Sequence, residues 1–210
     1  MKIAVFGSTG PSGQLIVQYA LSKGYEVNAY ARDPSKIVFS DPHLTVIKGT
    51  LKDIQAIESA VKDTDAVVSI LGPSTNVKTT ELSDGTRNII TGMKKFHVCR
   101  LVAMGTASVE DGNDLPSFKF RLLVGIVKRL IPGAYCEIRK MGAIIKESDL
   151  EWTMIRLALL TNGPAKGIQH IGYYGRDKLN LGVSRKDLAR FFVDQVQDNK
   201  YIRKAPAISN

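Results

Sequence analysis

Seven residues near the start of the chain, Gly7-Ser8-Thr9-Gly10-Pro11-Ser12-Gly13, have the types and the G-x-x-G-x-x-G spacing to hold a pyrophosphate. One glycine is needed where a strand turns, a second where backbone must lie against the phosphates, and a third where helix and strand pack closely. Backbone N–H groups and the positive end of the following helix supply the attraction. Pro11 suits the first helical position, where a missing N–H costs nothing. The ligand this loop implies is a dinucleotide.

A second cue lies in Tyr30-Ala31-Arg32-Asp33. Chains that bind NAD place an acid at the tip of the second strand, on the ribose hydroxyl, whereas an arginine there accommodates a 2′-phosphate through charge-assisted hydrogen bonds. Lys36 adds a second positive contact, so the pattern predicts NADP(H). Asp33 is the residue that could instead face the ribose. Leu71-Gly72-Pro73 closes the fourth strand, and its glycine lets backbone pass close to the cofactor.

Residues for proton transfer are fewer. In Gly105-Thr106-Ala107-Ser108, Thr106 could orient a substrate carbonyl or a nicotinamide carboxamide, with Ser108 expected to face solvent. Tyr135 is the candidate acid. The Tyr-x-x-x-Lys pattern of short-chain dehydrogenases uses the lysine to lower the tyrosine pKa, but here Arg139 stands fourth after Tyr135 and Lys140 fifth. An arginine stabilises a tyrosinate yet cannot relay a proton. His43, His97 and His170 show no metal-ligand spacing, no metal is expected, and no nucleophile elbow is present.

The elements that must position these groups read as one βαβ series. Strands are expected at Lys2–Phe6, Tyr25–Ala31, Leu44–Lys48, Ala66–Leu71, Val98–Gly105 and Trp152–Arg156. Helices are expected at about Pro11–Lys23, Asp53–Val61, Thr79–Phe96, Phe118–Leu130 and Ala134–Ser148. Ser184-Arg185-Lys186-Asp187 is a capping box opening a helix through Gln197. The fold class expected is α/β: a single Rossmann-type domain over residues 1–210, with a doubly wound, mainly parallel sheet and helices on both faces. Residues from about 106 to 183 should shape the substrate side.

Hydrophobic residues at 44% and charged residues at 23% match an ordinary soluble domain and exclude a disordered chain. Cys99 lies in an apolar run, and with Cys136 the only other cysteine, both are expected as reduced thiols of a cytoplasmic protein. No run is long enough to span a bilayer, and the chain enters a strand at once, leaving no room for a signal peptide; no membrane partner is expected. The net charge of +9 invites a nucleic-acid reading, but no aromatics interleave with the basic residues between Lys119 and Lys146. A small anionic ligand accounts for the charge equally well. A monomer or weak homodimer is expected.

Together these residues resemble the atypical short-chain dehydrogenase/reductases of the NmrA-like, NAD(P)H-binding group, and within it the biliverdin-IXβ reductase or flavin reductase type. The likeness runs through Ile3–Gly10, Gly24–Val27, Ala31–Asp33, Asp65–Val67 with Leu71-Gly72, Gly85-Thr86-Arg87-Asn88-Ile89, Glu147–Trp152 and Ser184–Leu188. It implies NADPH-dependent hydride transfer to FMN, FAD or a linear tetrapyrrole, held as a dissociable acceptor in an open cleft with the proton taken from solvent or a loosely placed donor. By motif it gives Gly7, Thr9, Gly10 and Ser12 to the pyrophosphate and Arg32 and Lys36 to the 2′-phosphate. Thr50-Leu51 fall to the adenine, and Leu71, Gly72 and Thr106 to the nicotinamide side. The implied cofactor set also includes Ser8, Pro11, Gly13, Pro73, Met104, Gly105, Leu157 and Ala158, with Leu159 and Leu160 on the substrate. Two departures stand out: Thr50 replaces an acid common after the third strand, and Leu159 falls where a Pro-Pro-His-type segment carries a histidine. The second favours flavin over bilin. Some members of the group are non-catalytic NADP(H) sensors, the alternative reading.

Overall fold

Short β-branched runs alternating with amphipathic helices form a parallel sheet wrapped on both faces. A computed structural model describes residues 1–72 and 80–210. The first half contains β1 (Lys2–Phe6), α1 (Pro11–Ser22), β2 (Glu26–Ala31), β3 (Leu44–Lys48), α2 (Ile54–Val61), β4 (Ala66–Ser69), α3 (Glu81–Lys95) and β5 (Arg100–Thr106). The second contains α4 (Phe118–Leu130), α5 (Pro132–Lys146), β6 (Glu151–Leu157), β7 (Leu159–Thr161), β8 (His170–Gly172), β9 (Gly182–Ser184), α6 (Arg185–Asp194) and β10 (Ala207–Ser209).

The main sheet runs β3-β2-β1-β4-β5-β6-β10-β8, parallel except for the β10–β8 pair. This is a single α/β domain of Rossmann type. Phe6 stands opposite both Tyr30 and Ser69, and Thr106 opposite Leu157, so the carboxyl ends of the parallel strands share one edge. Strand order reverses between β1 and β4, the switch point where ligands of such sheets lie.

Each face buries its own helices. Ile57 of α2, Ile89 and Met93 of α3, and Ile138, Met141 and Ile145 of α5 pack on one side. Ile16 and Val17 of α1 and Leu188 and Phe192 of α6 pack on the other. The strands between are apolar in both directions, as burial on both faces demands.

Several local expectations are corrected. The fifth strand begins at Arg100, leaving Cys99 exposed outside it rather than in an apolar strand; both cysteines are free. Arg100 is instead buried, and its guanidinium donates to the carbonyls of Gln195, Val196 and Asp198 in the segment that follows α6. Pro132 opens α5 as its first residue, so the residue that stops α4 also starts the next helix.

Ser184 caps α6 as expected, its Oγ accepting the Asp187 N–H at 3.1 Å. The reciprocal half differs: the Ser184 N–H donates to Asn210 Oδ1, while the Asp187 carboxylate accepts the N–H groups of Lys166 and Gly167. Burial opposes ionisation of Asp187, but these bonds and that from Ser184 outweigh it and hold the carboxyl below its usual range. The short strands β7 to β10 are not anticipated. The expected start of α3 at Thr79 lies outside the described residues.

Candidate functional site

The glycine loop leaves β1 at the switch point. Gly7 has φ +84°, which favours glycine, and a Cβ there would press on Ile70. At Gly13 a Cβ would lie 2.0 Å from the Gly7 carbonyl oxygen, so helix and turn can approach only if this residue lacks one. Gly10 differs. Its backbone is ordinary extended chain, φ −72° and ψ 160°, and the nearest atom to an added Cβ is 3.6 Å away. Nothing inside the protein requires glycine there, and the bare backbone offers a cradle that a side chain would fill. The first turn of α1 has no side-chain cap. Its N–H groups suit the phosphates of a dinucleotide.

Side chains brace this loop. Ser8 is fully buried and its hydroxyl donates to the Tyr30 carbonyl at 2.8 Å, so its side chain is a brace rather than a ligand contact. Gln14 Nε2 donates to the Thr9 carbonyl at 3.1 Å and to that of Lys36 at 3.2 Å, tying the loop to the segment after β2. Ser12 is buried and Pro11 exposed in the first turn of α1.

Arg32 and Lys36 are exposed beyond the tip of β2, and neither forms an ion pair among the described residues. Asp33 is partly engaged: its Oδ1 accepts the Ser35 hydroxyl at 2.6 Å and the Ser35 N–H at 3.2 Å. The hydroxyl bond, foremost, holds its carboxyl below the usual range. Beside them, Thr50 is exposed and its carbonyl accepts the Tyr30 hydroxyl. Leu51 explains the Gly-Thr-Arg-Asn motif. A Cβ on Gly85 would lie 2.7 Å from the Leu51 side chain, and Asn88 Nδ2 donates to the Leu51 carbonyl at 2.8 Å.

Across the switch point, Gly72 and Met104 touch: a Cβ on Gly72 would come within 2.7 Å of Met104 Cε. Gly105 is small for packing, since its Cβ would meet Met154 at 2.9 Å. Pro73 lies outside the described residues.

At the carboxyl ends of β5 and β6 opens a cavity of about 210 Å³. Thr106, Leu157, Ala158 and Leu159 border it from the strands, Leu123, Val124 and Val127 from α4, and Ala134, Tyr135 and Ile138 from α5. Leu160 is not part of it; one residue along the chain, it packs with the α1 and α6 core. Ser108 is buried in the cavity wall rather than facing solvent, and its N–H donates to Thr106 Oγ1. The Tyr135 hydroxyl accepts from Arg139 at 3.0 Å. Lys140 turns away to pair with Glu137 at 3.3 Å, and the Glu137 carboxylate also takes the Ser83 hydroxyl and N–H from α3. Among the described residues the Tyr135 hydroxyl has no lysine partner; Lys128 of α4 lies over the ring face instead, 5.9 Å from its centre. Among the described residues no His, Cys, Asp and Glu group could hold a metal.

A second, more polar cavity of about 360 Å³ shares Ala107, Ser108, Val124 and Tyr135 with the first. Its wall is held by residues that the sequence reading passes over. Arg156, read only as a strand end, is fully buried, and its guanidinium forks onto Asp114 at 2.6 and 2.8 Å. It also donates to the Ala205 and Val109 carbonyls and lies 4.7 Å from the Tyr174 ring centre. Asp114 in turn accepts the N–H groups of Asp111 and Tyr174. An arginine between Ile155 and Leu157 in an apolar strand is the signal that could have revealed a buried partner.

Comparison with known proteins agrees with this architecture. The profile of a family described as NAD(P)H-binding matches residues 7–199. An oxidoreductase of Pestalotiopsis microspora, GME11367, is 22% identical over 93% of this chain and 79% of its own. A short-chain dehydrogenase/reductase from Veillonella parvula, solved in complex with NADP, superimposes with TM-score 0.78 at 18% identity, covering 100% of this chain and 94% of that one. ChuY, an anaerobillin reductase from Escherichia coli O157:H7, gives TM-score 0.80 at 15% identity over 99% and 96%.

Proposed function

Since the chain belongs to the NAD(P)H-binding family, we propose that it is an NADPH-dependent reductase whose acceptor is a flat conjugated molecule: FMN, FAD or a linear tetrapyrrole. The observation that carries this reading is the apolar cavity at the carboxyl ends of β5 and β6, which shares part of its lining with a more polar one. A ring system fits the first, and a polar arm the second. Flavins and bilins both have this division. The neighbouring fold of an anaerobillin reductase supports the same class of acceptor.

Bound NADPH supplies the hydride. This chain's residues hold and orient: the glycine loop and the α1 N-terminus take the pyrophosphate, and Arg32 with Lys36 the 2′-phosphate. Thr106 Oγ1 fixes the edge nearest the acceptor, and the α4 and α5 side chains exclude water from one face of it. Holding two flat rings in contact is an orientation effect that supplies several kcal/mol without an acid. The Tyr135 hydroxyl is not required as one.

Stopped-flow loss of NADPH absorbance on adding FMN tests the proposal; tight NADPH binding without turnover of any flavin or bilin would instead favour the sensor. Arg32→Ala should weaken NADPH by about 1.5–3 kcal/mol while sparing NADH. Equal losses measured by calorimetry would remove the 2′-phosphate assignment. Tyr135→Phe should change FMN reduction by less than about tenfold, well short of the 10²–10⁴ lost with a general acid. Thr106→Val should do more harm, and simple ketones, whose alkoxide needs a proton, should not turn over.

A further inference from the structure

We propose that α4 docks this protein on an anionic lipid bilayer, lying flat in the interface with its outer face against the acyl boundary. The helix has two apolar faces. Phe120 is buried, and Leu123, Val124 and Val127 turn inward over the cavity. Phe118, Leu122, Ile126 and Leu130, every fourth residue, form a stripe on the outside with exposures of 83%, 54%, 47% and 74%. Leu115 and Ile131, just beyond either end of the helix, are exposed too and also border the polar and apolar cavities. Monomeric proteins rarely leave such a continuous patch without a partner.

Charge selects the occupant. Lys119, Arg121, Lys128 and Arg129 are all exposed and flank the stripe, and the helix contains no acidic residue. A second copy docking face to face would set these cations against their own equivalents, because a two-fold contact repeats the same patch. An anionic surface satisfies them. Long basic side chains beside the apolar stripe can reach headgroups while their stems lie on the acyl chains. No described helix is long and apolar enough to cross a bilayer. An in-plane helix needs no such length. On this reading the cavity beneath α4 opens at the lipid surface, where apolar acceptors are concentrated.

Co-sedimentation of the whole protein with vesicles tests this, using phosphatidylcholine alone and phosphatidylcholine mixed with phosphatidylglycerol. Binding is expected only to the anionic vesicles and should fall with salt. It should drop about fivefold for each charge removed in Lys128→Gln and Arg129→Gln. Phe118→Ser with Leu130→Ser should also release the protein, with melting temperature and NADPH consumption unchanged. Absence of binding to anionic vesicles, or equal binding to neutral ones, overturns the proposal. So does a wild-type dimer in lipid-free buffer that the Phe118/Leu130 variant converts to monomer, since a second copy would then cover the stripe.

Discussion

Gly10→Val is expected to abolish NADP(H) binding, by at least about a hundredfold or on the order of 3 kcal/mol, in a protein that still folds. The three loop glycines separate here. Gly7 and Gly13 serve the fold: the first needs a left-handed backbone, and a side chain on the second would drive into the Gly7 carbonyl. Alanine at Gly13 should therefore lower the melting temperature. Gly10 has room for a Cβ and a backbone that any residue adopts. A branched side chain there fills only the space over the uncapped first turn of α1. Calorimetry on Gly10→Val with an unchanged melting curve should show no NADPH heat; wild-type affinity would mean that the cofactor lies elsewhere.

Asp114→Ala should be the most damaging change outside the loop. It strands the Arg156 guanidinium in a fully buried position, and breaking such a pair from one side costs about 3–5 kcal/mol. Stability of a domain is only about 5–15 kcal/mol. The melting temperature should fall by roughly 6–20 °C, at about 2–4 °C per kcal/mol for a chain of this size. Adding Arg156→Met should restore part of the loss, because the uncompensated charge is then gone, though the Val109 and Ala205 carbonyls lose their donor. A shift under about 2 °C in Asp114→Ala would show that the pair contributes little.

The first half of the chain announces itself because each element there carries its own signal. β1, β2, β4 and β5 have the apolar runs that a doubly covered sheet requires, and the glycine loop sits between a strand and a helix in plain view. The position of Arg32 is legible for the same reason: it depends only on following the second strand. The far side depends on partners distant in sequence. β7 to β10 are three residues each, too short for an alternating pattern to declare itself, and β10 joins β6 through a single pairing, Ala207 with Arg156. Lys140 looks available to Tyr135 by spacing until Glu137, tied across to Ser83, is seen to hold it. The direction of Leu159 and Leu160 could not be read, since a strand of three residues gives no face until its β9 neighbour is known.

The ties of Ser8 to the Tyr30 carbonyl and of Gln14 to the Thr9 and Lys36 carbonyls have a consequence for how ligand arrives. Every one of them joins protein to protein, so the loop has its shape before any phosphate comes near. The entropy of ordering that backbone, about 1–2 kcal/mol per residue, is lost once, during folding, and is not lost again at each encounter. Preorganisation of this kind strengthens a complex without adding a contact. It also makes capture a single collision step, so the observed association rate rises in proportion to dinucleotide concentration with no slow rearrangement to limit it.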